Sequence, residues 1–238
     1  MALLDDLKRQ AEDAAQQREQ ERQLALARDS AFKKRAQPAM LRAYYYLREL
    51  VDTLAQADLE VRTEYQVEGA GNLSGLRQHD YVLTADDVPD ITTLTFGFVC
   101  SRPEKVQFVV RDRAAVQRQR EYLWRHGLLF TFREELSAEA GNVLCGSFEM
   151  ESHVRVTIRF DIEPAERRIL VVTKNLRHLG ESAYALEVER FTEEFVEELA
   201  KVALRKPNRF DELTGFRVGE DVRSQLRERI AREAREKE

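Results

Sequence analysis

The chain has 238 residues, of which 43% are hydrophobic and 34% charged, and its formal net charge is −5. This length accommodates one domain with extensions or two small domains. The acidic balance argues against a dedicated nucleic-acid-binding protein, which usually carries a basic footprint. The sequence has no apolar run long enough for a membrane span and no signal-peptide order at its start, so we expect a cytoplasmic protein.

The first 37 residues predict a helical arm. They contain no glycine or proline and are dense in Ala, Gln, Glu and Arg. Such a segment favours a helix but has little apolar surface to bury against its own domain. A heptad seam through this segment begins apolar and becomes charged, which argues against a long coiled coil. We therefore expect a solvated helix that docks on a partner or a second copy through an apolar tip formed by Leu3, Leu4 and Leu7. Pro38 is expected to end the arm and open the next helix.

Residues 38–210 predict an α+β core domain, with an antiparallel sheet covered mainly on one face by helices at 38–57 and 191–206. Period-two alternation of apolar and polar residues is clearest at 153–162, and the turn after it predicts a hairpin with the next strand. A second hairpin is expected to join 91–100 to 106–110. Strands are expected at 59–67, 76–84, 91–100, 106–110, 128–132, 143–162, 168–176 and 184–188, and a further helix at 112–126.

The end of the chain is similar in composition to its beginning. Residues 211–238 predict a connector followed by a charged helix, in which acids and bases alternate. Because this charge is mixed, neither arm is a polybasic tail for DNA or a membrane surface. The general character of the chain resembles bacterial cytoplasmic proteins, a resemblance that implies no activity.

Three glycines after the first strand have the spacing GxGxxxG rather than the GxGxxG of a dinucleotide loop. The residues after Gly69, Gly71 and Gly75 alternate like a strand and do not open the helix whose N-terminus would hold a phosphate. We interpret this segment as the turn of a hairpin.

The remaining residues of catalytic type match no established pattern. Cys100 and Cys145 lie in apolar strand contexts, which predicts two buried thiols. The four histidines have no metal-ligand spacing, no serine lies in a nucleophile elbow, and Asp161, Glu163 and Lys174 lack the carboxylate pattern of a metal nuclease. No metal or cofactor is expected, although an enzyme site assembled from distant positions stays open.

The strongest candidate binding element is the helix at 112–126. At helical spacing Arg113, Arg120 and Trp124 share one face, and Arg118, Tyr122 and Arg125 share another. Arginine beside aromatic rings suits anionic ligands, and an exposed tryptophan suits a protein interface. The simpler alternative is a solvated amphipathic helix with Leu123 and Trp124 packed on the sheet.

Together these patterns favour a non-enzymatic interaction or adaptor protein whose helical arms mediate self-association or docking on a protein partner. The alternative is a regulator that binds an anionic ligand, a nucleotide or nucleic acid through the helix at 112–126. The residues proposed for that ligand or partner are Arg113, Arg120, Trp124 and Arg125.

Overall fold

The structure, a computed structural model, describes residues 2–57, 59–137 and 143–214; it has an α+β fold with two antiparallel sheets. The helices of this part of the chain are α1 (Ala2–Ala57), α2 (Arg113–Arg125), α3 (Glu193–Ala203) and α4 (Phe210–Thr214). The strands are β1 (Arg62–Val67), β2 (Gly71–Ala85), β3 (Thr93–Ser101), β4 (Val106–Arg111), β5 (Phe130–Ser137), β6 (Val143–Met150), β7 (His153–Glu163), β8 (Arg168–Lys174) and β9 (Glu181–Leu186).

Helix α1 is continuous through Pro38, so the predicted break at this proline is wrong. An interior proline removes one backbone hydrogen bond and clashes with the preceding turn, at a cost of about 3 kcal/mol. Pro38 itself is exposed, whereas Ala36, Ala39 and Met40 around it are buried. Packing on both sides of the proline therefore holds the helix together where local preference alone would end it.

The larger sheet has six strands in the order β1-β2-β3-β7-β8-β9, all antiparallel. The alternation predicted for β7 is confirmed, because Val154, Val156, Ile158, Phe160 and Ile162 are all buried on one face. Their neighbours Thr157 and Arg159, which are half-buried, point to the opposite face. The predicted hairpin of β7 with β8 is also confirmed.

Helices α1 and α3 pack over the apolar face of this sheet, as the sequence predicted. Thr192 caps α3, its hydroxyl oxygen accepting a hydrogen bond from the amide of Phe195 at 3.2 Å. The ring of Phe191 meets that of Phe160 edge-on, with centroids 5.6 Å apart. These contacts anchor the helix directly on the centre of the sheet.

The smaller sheet has the strand order β4-β6-β5, and its strands lie between β3 and β7 in the chain. Helix α2 connects β4 to β5. The predicted hairpin of β3 with β4 is therefore wrong, since β3 pairs with β2 and β7, and β4 pairs with β6. The residues between β3 and β4 are typical of a hairpin turn, but the chain crosses there from the larger sheet to the smaller one. The predicted helix between β4 and β5 is confirmed, with Asp112 accepting a hydrogen bond from Ala115 at its start.

The single strand expected at 143–162 is wrong: it is two strands, β6 in the smaller sheet and β7 in the larger one, because the chain passes from one sheet to the other at residues 151–152. The remaining differences from the expected elements are small. The last predicted strand ends at Leu186, and Val188 lies in a single turn of 3-10 helix. Cys100 and Cys145 are both buried, as predicted. The predicted charged helix at the end of the chain lies outside the described residues. No helix of the described ranges is both long and apolar enough to cross a membrane.

Asn175, at the turn after β8, links the end of α2 to the larger sheet. Its side-chain amide donates to the carbonyl oxygens of His126, at the end of α2, and of Arg155, at 3.1 and 3.0 Å. Its side-chain oxygen accepts from the amide of Gly180 at 2.9 Å, and its backbone carbonyl accepts from the hydroxyl of Tyr65 at 2.7 Å. One buried residue thus holds the end of α2 against β7 and the β8–β9 turn.

Candidate functional site

Helix α2 presents three different faces. Val116, Gln119 and Leu123 are buried beneath it. One flank, with Arg113, Arg120 and Trp124, points away from the larger sheet, and the other flank, with Arg118, Tyr122 and Arg125, faces the β1–β2 turn. The two groupings made from helical spacing therefore lie in different surroundings.

A groove of about 430 Å³ runs between α2 and the β1–β2 turn, and we call it the α2 groove. Arg118, Tyr122 and Arg125 line it along the helix. Glu68 and Gly69 line it on the turn, and Glu121 lies at its edge. The α2 groove thus presents two guanidinium groups and two carboxylates around a tyrosine ring.

Gln119 fixes the width of the α2 groove. Its side chain is only 6% exposed and donates a hydrogen bond from Nε2 to the carbonyl oxygen of Glu68 at 2.6 Å. The next residue of the turn, Gly69, has a φ of +75°, and a Cβ there would lie 2.5 Å from Oε1 of Gln119. The turn approaches the helix this closely only because position 69 has no side chain.

The proposed site residues Arg113, Arg120, Trp124 and Arg125 do not converge on one cavity. Arg120 stacks on the ring of Phe132, with its guanidinium carbon 4.2 Å from the ring centroid, and Arg113 is exposed at the start of the helix. Arg125 is the one of the four that lines the α2 groove, together with Arg118. Helical spacing identified Arg118 as part of a second face, but nothing local in the sequence indicated that the β1–β2 turn closes over that face.

His126 directly follows α2 and lies beside Arg125 in the chain. Its ring lies edge-on to Tyr122, with centroids 4.5 Å apart. Burial of the ring lowers the pKa of His126 below its usual value, and the charges of Arg125 and Lys174 lower it further. This lowered pKa favours the neutral imidazole beside Arg125.

Trp124 is 82% exposed, whereas its neighbour Leu123 is completely buried. The simpler alternative expected both side chains to pack on the sheet, and only Leu123 is buried. We expect Trp124→Ala to change the free energy of unfolding by less than about 0.5 kcal/mol and Leu123→Ala to lower it by about 2–5 kcal/mol. Denaturant unfolding followed by circular dichroism measures both. Equal losses in the two variants would mean that Trp124 packs on the core.

The described side chains in the first half of α1 are largely exposed. In residues 12–31 only Ala14 and Asp29 are less than exposed, and Leu24 and Leu26 are 57% and 59% exposed. From residue 12 onward the first buried side chain is that of Phe32, and Arg35 forms an ion pair with Glu189 on the 3-10 turn. The side chains of Leu3, Leu4 and Leu7, the predicted apolar tip, lie outside the described residues.

A second cavity, of about 270 Å³, lies between the β8–β9 turn, β9 and α4. Its charged walls are already engaged, because Arg177 donates two hydrogen bonds to the carboxylate of Asp211 at 2.7 and 2.8 Å. The guanidinium of Arg177 also lies 5.6 Å from the ring centroid of Phe210. These contacts fasten α4 to the sheet and leave little for a ligand to bind.

In the described residues, His, Cys, Asp and Glu side chains form no group of three that would hold a metal ion. The chain matches no family model, no curated protein and no solved structure. The features that bear on function are therefore the exposed part of α1 and helix α2.

Proposed function

We propose that this chain is a non-enzymatic interaction protein whose N-terminal arm, residues 1–31, mediates self-association or docking on a protein partner. The observation that carries the proposal is the exposure of the described side chains in the first half of α1. Residues 12–31 span about 30 Å at the rise of an α-helix, and nearly all of their side chains are exposed. A segment this long whose side chains are almost all exposed has its surface available for another chain.

The energetics of an isolated helix also support docking. A single helix in water is marginal, and most helices in proteins are stabilised by packing an apolar face. The arm has some local support, such as the hydrogen bond from Gln23 to Glu19 at 3.1 Å, but such pairs contribute only a few tenths of a kcal/mol each. Burial of Leu24 and Leu26 against another chain would add to this helix stability that its own core does not supply.

Deletion of residues 1–31 is expected to lower the mass of the particle in light scattering, or to abolish capture of a protein partner, while the core stays folded. The cut spares Phe32, the first buried side chain from residue 12 onward, and so leaves the packed part of the helix complete. Size-exclusion chromatography with light scattering measures the mass, and circular dichroism verifies the fold.

A matched control replaces Leu24 and Leu26 by Gln in the full-length chain, which keeps the helix and its length. This control is expected to weaken association in the same direction as the deletion. An unchanged mass together with an unchanged set of partners after the deletion would refute the proposal.

A further inference from the structure

We propose that the α2 groove binds a small polyanion, that is, a molecule carrying two or more phosphate or carboxylate groups, between Arg118 and Arg125. This site lies on a different element from the arm, and the proposal does not depend on arm-mediated association. It also differs from the pattern in the sequence that first suggested an anion site, which centred on Arg113, Arg120 and Trp124.

The spacing of the two arginines suits an extended anion. Residues 118 and 125 are seven apart on α2, which places them on the same face two turns apart, or about 10 Å along the axis. Tyr122 lies between them, and its hydroxyl oxygen accepts a long hydrogen bond, 3.4 Å, from the amide of Glu68. Two guanidinium groups at this separation can each donate a pair of hydrogen bonds to an anionic group, one at each end of a polyanion.

The charges of both arginines are available. Arg118 and Arg125 form no ion pair within the described part of the chain, and neither stacks on a ring as Arg120 does. Of the acids that line the groove, Glu121 already accepts a hydrogen bond from Gln117 at 2.7 Å. Glu68 lies on the opposite wall, where it would favour a ligand that also carries a hydrogen-bond donor.

The charged side chains that line the groove balance, two arginines against two acids, but the helix around them is basic although the whole chain is acidic. Residues 111–126 contain five arginines against two acids, a net charge of +3 in a chain of −5. The basic residues are thus concentrated on one element, and the groove volume of about 430 Å³ lies in the range of small-molecule sites. A long nucleic acid would need a more extended basic surface.

The groove walls are built to hold a fixed width before any ligand arrives. The buried side chain of Gln119 ties the turn to the helix, and the absence of a side chain at Gly69 permits the contact. A site that is already in place loses less conformational entropy when it binds. The groove is therefore a structured cleft, in contrast to a pair of arginines on an open helix.

Titration of the full-length protein with inorganic tripolyphosphate and, separately, with citrate tests the proposal. Calorimetry and the fluorescence of Trp124, the sole tryptophan and the neighbour of Arg125, provide independent signals. We expect saturable binding that weakens as salt rises, and Arg118→Ala and Arg125→Ala should each weaken it about tenfold or more. Tighter binding of tripolyphosphate would identify phosphates as the ligand groups, and tighter binding of citrate would identify carboxylates.

Arg113→Ala is the matched control, because Arg113 lies on the same helix but outside the groove. It should weaken binding less than about twofold, in keeping with the small effect of a distant screened charge. Two results would overturn the proposal: no saturable binding of either anion at low salt, or a loss in Arg113→Ala as large as in Arg118→Ala. Thermal unfolding of each variant verifies that the fold is unchanged.

Discussion

Asn175→Ala is expected to lower the free energy of unfolding by about 3 kcal/mol, since each buried polar group left without a partner costs about 1–3 kcal/mol. The alanine leaves the carbonyls of His126 and Arg155 and the amide of Gly180 without their side-chain partner. Asn175 is 1% exposed and has a φ of +57°, a conformation that asparagine tolerates better than alanine does. Chemical denaturation of both proteins measures the difference.

Two further variants separate the contributions at this position. Asn175→Gly removes the strain of the positive φ but not the lost hydrogen bonds, and so it should recover only about 1 kcal/mol. The exposed Asn72, which donates to Glu64 at 3.0 Å, provides the control, and Asn72→Ala should change stability by less than about 0.5 kcal/mol. If Asn175→Ala proved as mild as Asn72→Ala, Asn175 would not hold the end of α2 against the larger sheet.

Gly146→Val is the second change for which a large effect is expected, about 3 kcal/mol or more, because overpacking a filled interface forces side chains and backbone to shift. Gly146 lies on β6 beneath α2, and a Cβ there would come within 2.9 Å of a methyl group of Val116 and 3.0 Å of the Phe148 ring. Valine has a higher strand preference than glycine, so propensity alone would make this change stabilising. Denaturant unfolding therefore distinguishes packing from propensity by the sign of the effect.

Val116→Ala should partly rescue this variant, because it removes the methyl groups that the new side chain meets. A double-mutant cycle on Gly146→Val and Val116→Ala is expected to show coupling of about 1 kcal/mol or more. The control is Gly97→Ala in β3, where a Cβ would make only ordinary contacts, the nearest at 3.4 Å, and where we expect little or no loss. Additive effects of the first two substitutions would show that α2 does not pack on β6 at this point.

The regular part of the fold was predictable because local signals and tertiary packing agree there. The alternation in β7, the capping residues Asp112 and Thr192, and the apolar stripe of α3 each specify their element within a few residues. Three predictions failed where tertiary contacts override local preference: the break at Pro38, the hairpin of β3 with β4, and the single strand at 143–162. Packing on both sides of Pro38 keeps α1 continuous, and the chain passes from one sheet to another between β3 and β4.

The α2 groove was only half predictable, for a similar reason. Helical spacing grouped Arg118, Tyr122 and Arg125, but it could not show which flank of the helix faces another element. The second wall comes from the β1–β2 turn, about fifty residues earlier, and depends on a hydrogen bond from Gln119 that has no sequence signature.

Amide hydrogen exchange in residues 12–31 tests most directly whether the exposed arm is an interaction surface. An isolated, solvated helix opens readily and exchanges quickly, whereas a helix paired with another chain is protected. We expect slow exchange in the arm when the full-length protein is concentrated or bound to its captured partner, and fast exchange when it is dilute and alone. Equally fast exchange in the arm under all of these conditions, with the core protected throughout, would contradict the account.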